Sequence, residues 1–176
     1  MALDQIELAR HAGHRLAATA ALLELLANAN LRQAEQPLLR AIAVELACAV
    51  RWHLLSVLPD SDALSADTPL AALCDLFVLP PSHDSHRHHS VALELHQLAA
   101  DDDSWLIALA RAAGDAYRLP APAALASNAL QEPLKVVDLS AQRWSQPVDW
   151  SAAALQKWYD NSREIINRHR EQAVEC

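Results

Sequence analysis

Glycine is almost missing from this chain, which contains only Gly13 and Gly114 among 176 residues. A phosphate-binding loop needs several glycines, because only a residue without a Cβ lets backbone amides close around a phosphate group. The scarcity therefore argues against nucleotide-binding loops of this kind. The sequence also contains no P-loop, no dinucleotide-binding fingerprint, no H-E-x-x-H motif and no Ser-His-Asp ordering.

Cysteine and basic residues are also few. Cys48, Cys74 and Cys176 show no motif spacing, which predicts neither a disulfide framework nor a zinc ribbon. Lysine and arginine number 14 against 22 acids, giving a net charge of -8, whereas double-stranded nucleic acid requires a basic partner. The first residues, MALDQIELAR, lack the order of a signal peptide, and no 18-residue stretch reads as a membrane span. We expect a cytoplasmic protein with no membrane segment, and its alanine- and arginine-rich composition suggests a bacterial source.

Alanine and leucine dominate a chain that is 52% hydrophobic, and both residues favour helix. Apolar residues recur at helical spacing along most of the chain. We therefore predict an all-α fold, a single-domain bundle of five or six helices over residues 1–176. An irregular connection is predicted at 120–147 and a His-rich mobile loop at 82–89. Five helices are predicted at about 4–27, 33–58, 90–99, 104–118 and 150–174. A further one, third in chain order, is predicted to have Pro69 near its first turn and to run through Leu70, Leu73, Leu76 and Phe77. N-caps are predicted at Ser65 or Asp67 for the third helix, in the acidic run 101–103 for the fifth and at Asp149 for the last.

The first helix carries the main predicted interaction surface. Its seam toward a partner helix is predicted to run through Ile6, Ala9, Gly13, Leu16, Ala20, Leu23 and Ala27. Leu22 and Leu25 lie off this seam, so they favour contact with another protein or with a second copy. Trp144 and Trp150, which flank Pro147, are further candidates for recognition. The alternative is that these tryptophans pack the irregular segment onto the bundle.

Histidines supply the candidate metal ligands. HDSHRHH places His83, His86, His88 and His89 within seven residues, but a short loop after two prolines lacks the rigidity of a structural zinc site. Glu7, His11 and His14 share one side of the first helix, and the predicted seam turns them toward solvent. We therefore expect no metal and no cofactor, and we interpret both groups as solvated residues.

His53 and His169 each lie on an apolar stripe, which is typical of a core histidine with one hydrogen bond. Arg163 and His169 also resemble the catalytic pair of HEPN ribonucleases, all-helical dimers. That resemblance implies that the arginine would stabilise phosphate charge and the histidine would act on the 2'-hydroxyl. Glu164 departs from the family's small polar residue after the arginine. Six residues also separate the pair by about 120° around a regular helix.

Three stretches carry a second resemblance: LLRAIAVELACAVRWHLLSVLP, SWLIALARAAGDAYRLPAP, and EPLKVVDL followed by an acid-capped last helix and the terminal Glu175-Cys176. Together they resemble a family of small all-helical gammaproteobacterial proteins, found among pseudomonads, that carry a domain of unknown function. The resemblance implies no activity and no catalytic residue. The sequence thus favours a non-catalytic protein that associates with itself or with another protein. The alternatives are a HEPN-like ribonuclease and a metal-binding helical bundle.

Overall fold

The computed structural model describes residues 5–28, 35–58, 67–78, 89–116, 143–144 and 146–174. These residues form six helices and contain no strand, which confirms the predicted all-α fold and the bundle. The helices are α1 (Gln5–Asn28), α2 (Glu35–Val57), α3 (Leu70–Phe77), α4 (His89–Ala100), α5 (Trp105–Ala116) and α6 (Ala152–Val174).

Helix α2 is the centre of the bundle, because it packs against α1, α3, α5 and α6. Its buried residues occupy most of its circumference, as expected of a helix with neighbours on several sides. Helix α4 lies at the edge and contacts α3 and α5. The fully buried side chains at the centre of the core include Leu39, Ile42, Leu46, Leu54, Leu73, Leu106, Leu109, Leu155 and Ile166.

Serine side chains begin two helices. The Ile107 amide donates to Ser104 Oγ at 3.3 Å at the start of α5, and the Ala154 amide donates to Ser151 Oγ at 3.1 Å at the start of α6. The predicted acidic N-caps are therefore wrong in detail. Asp149 instead accepts the amide and the hydroxyl of Ser151, each at 3.1 Å, and so holds the capping residue in place.

Helix α3 also begins differently from the prediction. Its N-cap is Pro69, in extended conformation and without a side-chain cap. The Leu73 amide donates to the Pro69 carbonyl at 3.1 Å. The expected N-cap at Asp67 is therefore wrong, because proline with its fixed φ can start a helix and has no amide that needs a partner. The alternative cap, Ser65, lies outside the described residues.

The buried face of α1 differs from the predicted seam. Ile6 is 76% exposed and Ala27 is exposed, while the buried positions are Leu8, Ala12, Leu16, Thr19 and Leu23. Leu16 and Leu23 belong to both sets. The other buried residues, Leu8, Ala12 and Thr19, each come one residue before a position of the predicted seam. Helix α1 is rich in alanine and leucine on every side, so its apolar spacing does not identify a single face.

A pair of substitutions tests this register. Leu8→Ala should lower the free energy of unfolding by about 2 kcal/mol, because Leu8 is 6% exposed and packs in the core. Ile6→Ala removes a similar side chain from an exposed position and should change it by less than about 0.5 kcal/mol. Urea denaturation of both variants measures the difference. A larger loss for Ile6→Ala than for Leu8→Ala would support the predicted seam and contradict the register of the structure.

Gly13 lies where α1 and α6 meet. A Cβ at Gly13 would lie 2.9 Å from Arg170 Nη2. The same nitrogen donates to the Ala9 carbonyl at 2.5 Å. The missing side chain therefore leaves room for the Arg170 guanidinium to hydrogen bond to the backbone of α1.

Several predicted features lie outside the described residues. They are residues 82–88 of the predicted His-rich loop and residues 120–142 of the predicted irregular connection. None of the helices in the described part of the chain combines the length and apolarity that crossing a bilayer requires.

Candidate functional site

A chain of polar side chains crosses the core and joins three helices. His53 Nε2 of α2 lies 2.8 Å from His169 Nδ1 of α6, and His169 Nε2 lies 3.1 Å from Glu94 Oε2 of α4. Both imidazole rings are buried, at 6% and 5% exposure. The sequence prediction of two core histidines is correct about their burial. Their direct hydrogen bond to each other has no counterpart in the prediction.

The hydrogen bonds define the tautomers of the two rings. The Glu94 carboxylate only accepts, so His169 carries its proton on Nε2 and presents a bare Nδ1 to His53. His53 therefore donates from Nε2. Burial, with smaller contributions from the neighbouring His169 and Arg170, lowers the pKa of His53 from 6.5 to about 3. Burial also lowers the pKa of His169, although its hydrogen bond to Glu94 acts in the opposite direction. Both rings are neutral at pH 7.

Glu94 connects the buried pair to the surface. Its second oxygen, Oε1, forms an ion pair with Arg168 of α6. Arg168 Nη1 also donates to Glu164 Oε1 at 3.0 Å, one turn earlier on the same helix. Neither Glu94 nor Arg168 was a sequence candidate, since residues 74 positions apart share no local pattern. The network therefore holds α2, α4 and α6 in one register.

This arrangement does not form an accessible acid–base site. A histidine oriented by a carboxylate can act as a general base when a substrate reaches its other nitrogen. In this protein the other nitrogen of His169, Nδ1, is hydrogen-bonded to His53, and both rings are buried. We therefore interpret the pair as a structural element that specifies how the helices pack.

Arg163 and His169, the candidate ribonuclease pair, lie in different environments. Arg163 is exposed, and its guanidinium carbon lies 5.8 Å from the centre of the Tyr159 ring. His169 is buried against His53 and Glu94. Within the described residues no hydrogen bond or ion pair joins the two side chains. The helical separation expected from their spacing is thus what the structure shows.

The candidate metal ligands of α1 do not converge. Glu7 pairs with Arg10 at 3.6 Å, the His11 ring stacks on Trp52 with centroids 5.4 Å apart, and His14 is exposed. No group of three or more histidine, cysteine, aspartate or glutamate side chains in the described part of the chain is placed to hold a metal ion. His83, His86 and His88 lie outside the described residues, and His89 is the first residue of α4.

Trp144 and Trp150 are half-buried and pack against the core. Trp150 Nε1 donates to Asp115 Oδ2 at 3.2 Å, and the guanidinium carbon of Arg40 lies 5.9 Å from the centre of its ring. The guanidinium carbon of Arg143 lies 5.1 Å from the centre of the Trp144 ring. These contacts favour the alternative in which the tryptophans pack the segment before α6 onto the bundle. Recognition by these two residues stays a prediction.

On the exposed face of α1, five residues recur at the spacing of a helix face that packs on another helix. His14, Ala18, Ala21, Leu25 and Asn28 are all exposed, and their spacing alternates between four and three residues. Leu22 lies beside this row, half-buried against the core. Leu25 is 51% exposed. Because the pattern is that of a helix face packed on another helix, we name these five exposed residues the outer seam.

The chain was compared with protein-family models, with curated proteins and with solved structures, and none of the three comparisons gives a match.

Proposed function

We propose that this protein is a non-catalytic cytoplasmic protein that associates with a second copy of itself through the outer seam of α1. The observation that carries the proposal is the seam itself, a row of five exposed residues with heptad-like spacing that none of the helices in the described part of the chain covers. Leu25 places a large apolar side chain near one end of the row, half in water. Contact with a second chain would remove this side chain from water.

The composition of the outer seam suits contact between identical helices. Ala18 and Ala21 have small side chains, so a facing helix could approach closely and pack along the seam. A two-fold contact places each seam against itself, and like charges there would be repelled. All five seam residues are uncharged at neutral pH when His14 is neutral. This self-compatibility favours a second copy over a partner recognised through charge.

Oligomeric state tests the proposal. Size-exclusion chromatography with light scattering should give about twice the 19.3 kDa chain mass for the wild-type protein. Leu25→Glu and Ala21→Glu should each yield a monomer, because they place a charge against its own copy in a desolvated contact. The matched control is Leu93→Glu on α4, since Leu93 is also an exposed leucine, and it should leave the dimer unchanged.

Two outcomes would contradict this proposal. A monomeric wild-type protein at the highest soluble concentration would exclude self-association. Loss of the dimer in Leu93→Glu, with Leu25→Glu still dimeric, would move the interface to α4. Circular dichroism of each variant shows whether the monomer is folded, and a monomer that retains wild-type helicity is the supporting result.

A further inference from the structure

A second line of exposed residues runs along one side of the outer seam of α1. Arg10, Ala17 and Glu24 are all exposed and follow one another at intervals of seven residues, so they lie along the same side of the helix. Ala17 and Glu24 directly precede two residues of the outer seam, Ala18 and Leu25. We name these three residues the open flank. It has a basic residue toward the beginning of α1, an acidic residue toward its end and a small residue halfway between them.

The other side of the outer seam faces α2 of the same chain. Arg15 Nη1 donates to the two carboxylate oxygens of Glu45 at 2.9 and 2.8 Å, and Leu22 is half-buried against the core. The charge on that side is therefore balanced within the chain. A second helix that packs on the outer seam would find its exposed acidic group on the open flank.

Both charges of the open flank are accessible to a second chain. Arg10 forms an ion pair with Glu7, one turn earlier, at 3.6 Å, and the two side chains are 61% and 50% exposed. An exposed pair of this kind contributes little to stability, so Arg10 can exchange it for another carboxylate. Glu24 is exposed as well, and no ion pair within the described part of the chain includes it.

The order of these charges favours one orientation of two identical helices. A two-fold contact can be parallel or antiparallel. In an antiparallel contact the open flanks of the two copies lie along each other in opposite directions, so each Arg10 lies near Glu24 of the second copy. In a parallel contact the open flank lies along the other side of the second helix instead, and Arg10 approaches Arg15 of that copy. The first arrangement forms two attractive pairs, whereas the second brings arginine toward arginine.

We infer that two copies of this chain associate in antiparallel orientation along α1, with Arg10 of each copy paired with Glu24 of the other. This inference rests on the proposed self-association and specifies how the second copy is recognised. The uncharged seam supplies the contact that is removed from water, and the open flank determines the orientation. Ala17 lies midway between the two charges, where a small side chain allows the helices to approach.

Charge reversal in the full-length protein tests the pairing, with the dimer dissociation constant measured by analytical ultracentrifugation. Arg10→Glu and Glu24→Arg should each weaken the dimer by about ten-fold, because each replaces two attractive contacts with two repulsive ones. The double variant Arg10→Glu/Glu24→Arg restores both contacts with reversed signs, and its dissociation constant should return to within about three-fold of the wild-type value. A mixture of the two single variants should form the heterodimer in preference to either homodimer.

Recovery in the double variant can arise only between chains. Positions 10 and 24 of one helix are roughly 21 Å apart along its axis, about twice the distance over which 0.1 M salt screens exposed charges. Arg10→Glu also removes the ion pair with Glu7, but the double variant lacks that pair too. Raising the NaCl concentration to 1 M should reduce the difference between the single variants and the wild type, as expected for exposed charges.

Arg163→Glu and Glu171→Arg are the matched controls, because they make the same changes of charge at exposed positions of α6 and should leave the dimer unchanged. An unchanged or tighter dimer in Arg10→Glu would overturn the antiparallel arrangement. So would a double variant that remains as weak as the single variants. In both cases a monomeric Leu25→Glu would leave self-association through the outer seam in place. A monomeric wild-type protein would overturn both proposals.

Discussion

Lowering the pH from 7 to 5 should reduce the free energy of unfolding by about 2 kcal/mol through His53 alone. Burial lowers the pKa of His53 from 6.5 in the unfolded chain to about 3 in the folded protein. Below pH 6.5 the unfolded chain therefore binds a proton that the folded chain does not bind. The stabilising contribution is complete above pH 6.5 and decreases until the pH reaches about 3, by about 1.4 kcal/mol for each pH unit.

The geometry explains why the folded protein resists this proton. A protonated His53 would bring a charge into the core beside Arg170 and His169, and no carboxylate of the described residues hydrogen bonds to its ring. Protonation of His169 on Nδ1 would place a second donor against His53 Nε2 and break the 2.8 Å hydrogen bond. The lowered pKa of His169 therefore adds to the loss in the same direction.

Urea denaturation at pH 7 and pH 5 measures the effect in the wild-type protein and in His53→Gln. The glutamine amide can still donate to His169 Nδ1 but does not titrate, so this variant should lose much less stability between the two pH values. His11→Gln is the matched control, because His11 is an exposed histidine of α1 outside the outer seam, and it should retain the wild-type pH dependence. An unchanged slope in His53→Gln would show that His53 is not the titrating group.

The second large effect is expected from Leu46→Ala. Leu46 is fully buried in α2, the helix that contacts four others, so neighbouring side chains cannot easily collapse into the space it leaves. Loss of its buried surface together with the cavity should reduce the free energy of unfolding by about 3 kcal/mol. Chemical denaturation of the purified variant measures this loss.

Leu76→Ala is the matched control for this substitution. Leu76 is 48% exposed in α3, and truncation there should change stability by less than about 0.5 kcal/mol. A loss below 1 kcal/mol in Leu46→Ala would mean that α2 is not the centre of the core.

The sequence predicts α2 well because its environment leaves little ambiguity. Leu39, Ile42, Leu46 and His53 recur at helical spacing along one stripe of α2, and all four are buried. Helix α1 is harder, because alanine and leucine occur on every side and the partner helix determines which of them is covered. The prediction of the N-cap residues is limited in the same way, because it also depends on the three-dimensional structure. Asp149 and Ser151 are both good N-cap residues, and only the backbone path places Ser151 at the helix end.

The polar features could be predicted only in part. Two histidines on apolar stripes are visible in the sequence, but their pairing depends on how α2 and α6 are oriented. Arg168 carries no local signal, since α6 contains several other charged residues. Glu94 is the one acid of α4, but its partners lie 74 and 75 residues away in the sequence. The buried Arg111 does carry a local signal, because it is an arginine within the apolar run WLIALARAA, where a solvated position is not expected. A buried basic residue could have been inferred from that run.

The central position of α2 has a consequence for how the protein is made. His53 and His169 are separated by 116 positions in the sequence, so α2 is translated long before α6 can cover it. A nascent chain that has emerged only through α5 therefore exposes the apolar face of α2 that α6 covers, and its His53 ring lacks the hydrogen bond to His169. The packing around α2 is therefore completed only after α6 has left the ribosome, and until then the exposed apolar surface favours aggregation.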